Sequence, residues 1–210
     1  SSYGLTGMAE GEFAVQDLTW EIVNKMNLGV ELGFLNGMID LQLDYFDERR
    51  KDIFMPRESV PMTAGFMKQP WKNFGKVTNQ GVEVSLNVNK QFGKDLFVSL
   101  MGTFTYAHNE ITEKDEPSAV VGTNRAETGH PVGQLTGYIA EGLFTADDFE
   151  DVSTGKLKEG IPTQSFVSKL RPGDIRYRDV NGDGKVDVFD KSPIGGTKDP
   201  EIVYGFGLNM

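Results

Sequence analysis

The stretch that decides the fold is MNLGVELGFLNGMIDLQLDYFDERR, residues 26–50. In its first nine residues Leu28, Val30, Leu32 and Phe34 alternate with small or polar residues. A period of two indicates a β-strand, because successive side chains of a strand point to opposite faces. The Asn-Gly pair that follows favours a tight turn, and the second half of the stretch alternates in the same way. The stretch therefore predicts a β-hairpin with one apolar face and one polar face.

Other segments of the chain repeat this pattern. A second hairpin is predicted around a short turn at residues 93–95, and a further strand is predicted at the end of the chain. The alternation predicts an all-β fold of antiparallel strands. The predicted strands lie near residues 26–34, 38–49, 80–91, 96–110 and 202–210.

The connections between the predicted strands are of two kinds. The two hairpin turns are about three residues long, whereas the predicted loops cover residues 51–79 and 113–201. Short turns at one end and long loops at the other are typical of outer-membrane β-barrels, which have short periplasmic turns and long extracellular loops. Because even the smallest such barrels have about eight strands, the chain is predicted to be part of a larger barrel.

A soluble β-sandwich also alternates along its strands, so both architectures stay open at this point. Two features favour the membrane barrel. The polar face carries no Lys or Arg within the predicted strands, whereas a soluble outer face usually does. The apolar face is unbroken, with aliphatic residues in the middle and aromatic residues towards the ends, as in a lipid-facing band with interfacial girdles. These aromatic residues are Phe34, Tyr45, Phe92, Tyr106 and Tyr204.

Composition excludes several classes of function. The 210 residues carry a formal net charge of −10, which argues against a nucleic-acid partner. The absence of cysteine excludes disulfides, a thiolate zinc site and a cysteine nucleophile. No signal peptide is recognised at the start, and no apolar run reaches the ~18 residues of a membrane-spanning helix. Contact with a membrane would therefore be made by strands.

Catalytic signals are weak, and no catalytic residue is predicted. The only histidines, His108 and His130, lie far apart and have no partner at metal-ligand spacing. The sequence contains no phosphate-binding loop and no nucleophile elbow. Trp71 and Phe74 could stack on a sugar, but an interfacial belt or a loop core is the favoured interpretation. Thr145 with Asp148 three residues later predicts the start of a short surface helix.

The stretch DVNGDGKVDVFD, residues 179–190, matches the spacing of a calcium-binding loop. Such a loop takes side-chain oxygens at positions 1, 3, 5 and 9, glycine at position 6, a backbone carbonyl at position 7 and a carboxylate at position 12. Position 12 is Asp rather than the usual Glu, which predicts weaker or differently shaped binding. A turn rich in Asp and Gly is the alternative. The predicted calcium ligands are Asp179, Asn181, Asp183, Lys185 through its carbonyl, Asp187 and Asp190.

Taken in order, several stretches resemble the C-terminal part of the SusC/RagA family of TonB-linked outer-membrane transporters of the Bacteroidetes. The resemblance runs from about Leu18 to Met210. The stretches that carry it are NLGVELGFLNGMIDLQLDYFDERRKDIF, NFGKVTNQGVEVSLN, GHPVGQLTGYIAEGLF and LRPGDIRYRDVNGDGKVDVFDKSPIGGTKDPEIVYGFGLN.

The resemblance implies a cell outer-membrane location and a plugged barrel of about 22 strands. It also implies extracellular loops, a SusD-like lipoprotein at the cell surface, the TonB complex as the energy source, and import of glycans or oligopeptides. From the residues alone, two other functions remain open. One is a secreted soluble β-domain that binds carbohydrate with calcium, and the other is an enzyme such as a glycosidase, which has the least support.

Overall fold

The long strands form one five-stranded antiparallel sheet in the order β1-β2-β3-β4-β13. The structure is a computed structural model that describes residue 15, residues 17–61, residue 63 and residues 68–210. Strands β1 to β4 follow one another along the chain, and β13 returns to β4 after a long connection. The strands of the sheet are β1 Ile22–Phe34, β2 Ile39–Pro56, β3 Trp71–Phe92, β4 Leu96–Glu113 and β13 Ile202–Asn209.

The connection between β4 and β13 has secondary structure of its own. Its short strands pair as β5 with β12, β6 with β10 and β7 with β8, all antiparallel, and β9 with β11 in parallel. The predicted surface helix after Thr145 is a single 3-10 turn, Ala146–Asp148. A second 3-10 turn spans Val188–Asp190. The short strands are β5 Gln134–Gly137, β6 Ala140–Leu143, β7 Phe149–Asp151, β8 Lys156–Leu157, β9 Thr163–Gln164, β10 Ile175–Tyr177, β11 Lys185–Val186 and β12 Ser192–Thr197.

The structure confirms an all-β fold, and its strands run further towards the long loops than the alternation predicts. Strand β2 continues to Pro56, where it pairs with Trp71 at the start of β3. Alternation ends earlier because the register shifts at residues 50–53, where Asp52 has a left-handed backbone (φ 59°). Such a bulge reverses which residues face each side, so a period of two breaks although pairing continues. The predicted loop 51–79 is therefore shorter; its residues 62 and 64–67 lie outside the described residues.

The first hairpin turns at the predicted Asn-Gly pair. Leu35, Asn36 and Gly37 all have positive φ, at 53°, 57° and 82°. The backbone N–H of Met38 donates to the carbonyl of Leu35 at 3.3 Å and closes the turn. Because Asn and Gly tolerate a left-handed backbone, the two strands can pair residue by residue from Phe34 opposite Ile39 outwards.

The chain divides into two compact units with different interiors. One contains the sheet (residues 1–118, 127–132 and 199–210), and the other contains most of the long connection (119–126 and 133–198). The loop unit has a small core of Phe144, Phe149 and Leu170. Of the described hydrophobic residues of the sheet unit, only Ile111 is buried. No helix among the described residues is long and apolar enough to cross a membrane.

Candidate functional site

One face of the five-stranded sheet is apolar and exposed. Even on the interior strands, Leu43, Leu100 and Phe104 keep 40%, 44% and 39% of their surface accessible. Strand pairing aligns this face into rows that cross all five strands. The rows are Phe34-Ile39-Val88-Leu100-Leu208, Leu32-Leu41-Leu86-Gly102-Phe206, Val30-Leu43-Val84-Phe104-Tyr204 and Leu28-Tyr45-Val82-Tyr106-Ile202.

The apolar band has defined ends. At ~3.3 Å per residue it extends about 20 Å along β2, from Ile39 to Tyr45. Beyond the row of Tyr45 and Tyr106, the next row is polar and includes Asp47 and His108. Three of the predicted girdle residues, Phe34, Tyr45 and Tyr106, lie in the end rows of the band. Phe92 lies beyond the end row, opposite Leu96, and Tyr204 lies one row further inside.

The opposite face of the sheet is polar and changes character along its length. Towards the short turns it is acidic, with Glu31, Asp40, Asp44 and Glu83. Towards the long loops it carries both signs of charge, because the strands run further than predicted and include Lys25 and Arg50. An apolar face and a polar face that are both uncovered in the described residues are the features of a barrel wall between lipid and an aqueous lumen.

A polar row crosses four strands near the loop end of this inner face. Lys25, Glu48, Asn79 and Asn109 are successive cross-strand partners. The Lys25 Nζ lies 2.6 Å from Glu48 Oε1. Asn109 Oδ1 accepts from the backbone N–H of Val132 at 2.7 Å. Next to this row lies a hollow of about 330 Å³.

A buried carboxylate ties the β2–β3 loop to the segment after β4. Asp115, which is 6% exposed, accepts from the backbone N–H of Ser59 at 3.0 Å and from its hydroxyl at 2.8 Å. The Arg57 Nε lies 3.0 Å from Asp115 Oδ2. Burial alone would raise the pKa of the Asp115 carboxyl, but the ion pair with Arg57 and the hydrogen bonds from Ser59 outweigh it and hold this pKa below its usual value. Sequence reasoning missed this site, since its residues lie far apart in sequence and share no motif.

The predicted calcium loop is folded around its first and last carboxylates. Asp179 accepts from the backbone N–H groups of Gly182 and Gly184, both at 2.7 Å. Asp190 is fully buried and accepts from the N–H groups of Val180 and Asp187, at 2.8 and 2.7 Å. These bonds hold the two ends of the loop together, and their acceptors, Asp179 and Asp190, are two of the predicted calcium ligands.

The remaining predicted ligands are engaged with one another. The Asn181 side-chain amide donates to Asp183 Oδ2 at 3.1 Å. Lys185 is predicted to act only through its backbone carbonyl, but its ammonium group lies 3.1 Å from Asp187 Oδ2. The hydrogen bond from the N–H of Phe189 and, after it, the Lys185 ammonium lower the pKa of the Asp187 carboxyl. The carboxylates and the amide are hard oxygen donors of the kind calcium takes, but in the described part of the chain no three His, Cys, Asp or Glu side chains are placed to hold a metal.

The other side chains considered from sequence have structural partners. His108 Nδ1 lies 2.6 Å from Glu201 Oε1. Trp71 packs against Phe54 with ring centroids 5.1 Å apart, and Phe74 lies under the Arg57 guanidinium at 5.6 Å. These contacts agree with the interpretation of Trp71 and Phe74 as packing residues at the loop end of the sheet.

The fold and the two faces define a class of protein, namely a membrane β-sheet that separates lipid from a polar interior. Residues 1–195 match the family described as "TonB dependent receptor-like, beta-barrel". The chain therefore belongs to the TonB-dependent receptor β-barrel family. This family consists of receptors of the bacterial outer membrane and is not a class of enzymes, which confirms the predicted outer-membrane location and the prediction that the protein is not an enzyme.

Known proteins extend this similarity over nearly the whole chain. TonB-dependent receptor P3 of Formosa agariphila is 24% identical over 217 residues, covering 98% of this chain and 20% of that protein. TonB-dependent receptor SusC of Bacteroides thetaiotaomicron is 29% identical over 188 residues, covering 84% of this chain and 17% of that protein. The chain thus spans about a fifth of the length of these relatives, and the resemblance to the SusC/RagA family is confirmed.

Solved structures show the same fold. The RagAB peptide importer in its closed-closed state superposes with a TM-score of 0.64 at 21% identity, covering 99% of this chain and 21% of that chain. The RagAB peptide transporter superposes equally well, with a TM-score of 0.64 at 22% identity. This likeness supports the assignment of the five strands to one sector of a large barrel.

Proposed function

We propose that this chain forms one sector of the wall of a TonB-dependent transporter that imports glycans or oligopeptides through the outer membrane. The observation that carries the proposal is the pair of uncovered faces: an apolar band crossing five strands on one side and a polar wall on the other. The polar wall would line the path of the ligand, and the apolar band would contact lipid.

The exposed apolar face disfavours the alternative of a secreted soluble β-domain. A soluble sheet buries its apolar face against a second layer, and no described element packs on this one. An apolar surface of this extent exposed to water would be an aggregation site. Lipid is the simplest cover for it.

The edges of the sheet support a larger assembly. Strands β1 and β13 each pair on one side only within the described residues. Unpaired edges in a membrane are costly, because their backbone N–H and C=O groups have no water to bond. We infer that further strands close the barrel on both sides, as the greater length of the relatives suggests.

The arrangement of the connections supports an orientation. Both short turns lie at one end of the sheet, and the β2–β3 and β4–β13 connections lie at the other. In outer-membrane barrels the long loops are extracellular. The loop unit would therefore face the cell exterior, where it would contact a SusD-like lipoprotein and the incoming ligand. The TonB complex would act from the periplasmic side.

We also propose that the loop 179–190 binds calcium as a structural brace. Its donor set consists of hard oxygens at calcium-loop spacing, and Asp179 and Asp190 already hold its ends together. Because Asp187 is paired with Lys185, binding would require the ammonium group to leave and the carboxylates to turn towards one point.

The transport proposal is tested in the native host with the protein expressed from its complete reading frame. Uptake of fluorescently labelled oligosaccharides and oligopeptides is measured in the parent strain, in a strain without this gene and in a strain without TonB. Uptake of one ligand class is expected to be lost in both mutants. A protein recovered in the soluble fraction, or uptake that is unchanged without TonB, would contradict the proposal.

A further inference from the structure

The inner face carries a second hollow besides one of about 410 Å³ near the short turns, which is lined by Gln42, Ser85 and Asn87. This second hollow lies at the loop end of the sheet and has a volume of about 330 Å³. This value is at the lower end of the ~300–1,000 Å³ that small-ligand pockets occupy. Polar side chains of β2, β3 and β4 and of the segment just before β13 line it. They include Glu48, Arg50, Asn79, Asn109 and Glu201.

Small residues lie beside the polar row at the edge of the hollow. Ala107 lines it, and the cross-strand partner of Ala107 is Gly81, which has no side chain. Gly81 is required there, since an added Cβ would meet the backbone carbonyl of Tyr106 and would lie 2.5 Å from the Phe46 ring. The Phe46 ring therefore lies over Gly81, on the same face of the sheet as the carboxamides of Asn79 and Asn109.

The charges that line the hollow are already compensated. Glu48 is paired with Lys25 at 2.6 Å, and Arg50 is paired with Glu21. Glu201 lies 2.6 Å from the His108 ring nitrogen, and Asp199 also has a partner. A terminal ammonium or carboxylate of a ligand would have to displace one of these partners, at the cost of an exposed or unpaired charge.

The side chains of Asn79 and Asn109, in contrast, are uncharged. Each carboxamide presents both donors and acceptors, and Asn109 Nδ2 makes no hydrogen bond within the described part of the chain. Carboxylate oxygens and guanidinium nitrogens at the rim add further hydrogen-bond partners for the hydroxyl groups of a ligand. A ligand that is uncharged and carries many hydroxyl groups fits such a lining, because each hydroxyl both donates and accepts a hydrogen bond.

From this geometry we infer that the hollow between Glu48, Asn79, Asn109 and Glu201 is a subsite for a neutral, polyhydroxylated ligand, that is, a sugar unit of an oligosaccharide. The inference deepens the proposed function and rests on it, since it names the ligand class that the polar wall would contact. Asn79 and Asn109 position the sugar by direct hydrogen bonds, and the pairs Lys25–Glu48 and Arg50–Glu21 hold the rim in place.

Matched asparagine variants of β3 test the subsite in the protein expressed from its complete reading frame. Asn79 lines the hollow, whereas Asn89 lies on the same strand and face ten residues away and lines neither hollow. Binding is measured by titration calorimetry with maltohexaose, cellohexaose, xylohexaose and the hexapeptide hexa-alanine as probes. We expect an oligosaccharide to bind, Asn79→Ala to weaken its binding about tenfold, and Asn89→Ala to leave its binding unchanged.

The possible results separate the subsite from the proposed transport. If an oligosaccharide binds and Asn79→Ala binds it as tightly as the parent protein, the subsite is refuted while glycan transport stands. If hexa-alanine alone binds, or if no oligosaccharide binds, the assignment to a neutral sugar is overturned. Uptake that depends on TonB in the same protein then decides whether the transport proposal survives. Equal weakening by Asn79→Ala and Asn89→Ala would show a general effect on the wall and would also overturn the subsite.

Discussion

At the residue scale, Gly81 shows how a single missing side chain shapes the inner wall. A Cβ at this position would meet the main-chain carbonyl of Tyr106, which cannot rotate away as a side chain can. We therefore expect Gly81→Ala to destabilise the sheet by about 1–3 kcal/mol, as overpacking does. Gly102→Ala is the control, because a Cβ there meets no atom within 4 Å. Denaturant titration in detergent micelles compares the two variants, and equal losses would contradict the explanation.

Asp115 makes a second residue-scale prediction, which concerns pH. Its pKa is lowered in the folded protein, so the stability it contributes is fully present above the ordinary pKa of about 3.9 and is lost progressively as the pH falls from there through the lowered pKa of the folded state. We expect Asp115→Asn to lower the thermal midpoint at pH 7 and to lower it much less at pH 3. Asp95→Asn, in the opposite turn, serves as the control. A difference that persists unchanged at pH 3 would rule out this role for Asp115.

At the element scale, strand β2 presents neighbouring residues to different solvents. Leu43 lies in the middle of the apolar band, and Gln42 points to the polar wall. We expect Leu43→Arg to reduce the free energy of folding into lipid vesicles by about 2–4 kcal/mol, the cost of Arg near the bilayer midplane. Gln42→Arg should cost much less. Similar effects of both substitutions on folding would mean that the apolar face does not contact lipid.

The loop 179–190 is the second element with a testable role. If calcium binds the native protein, it stabilises it by RT ln(1 + [L]/Kd), or about 2.7 kcal/mol at a calcium concentration of 100 Kd. We expect calcium to raise the thermal midpoint of the protein, and Asp179→Ala and Asp183→Ala to remove the rise. Asp151→Ala, which removes a carboxylate of the loop unit outside this loop, should keep it. A midpoint that calcium leaves unchanged in the parent protein would refute the brace.

At the scale of the whole molecule, the separation into two units predicts that the wall folds without the loop unit. The ends of that unit are adjacent, since the N–H of Lys198 donates to the carbonyl of Gly133 at 3.0 Å. Residues 134–197 can therefore be replaced by an Asn-Gly turn. We expect the variant to reach the outer membrane as folded protein, judged by heat-modifiable migration in gel electrophoresis, while ligand uptake and capture of the surface lipoprotein are lost. Failure of the variant to insert would show that the wall depends on the loop unit.

The sequence by itself determined the strand pattern, the two faces, the hairpin turn at Asn36-Gly37 and the candidate calcium loop. These features are local, because they depend on alternation and on the backbone preferences of a few adjacent residues. It also carried enough family-specific stretches to indicate the correct family. It did not predict the full length of β2 and β3, because the bulge near Asp52 inverts the alternation while pairing goes on.

Only the tertiary structure decided which distant residues meet. The row of Lys25, Glu48, Asn79 and Asn109 depends on the register of four strands, and a shift by one residue would turn each of these side chains to the lipid face. The burial of Asp115 by Ser59 likewise joins segments 56 residues apart. Such contacts are set by register and by loop closure in space, which local periodicity does not encode.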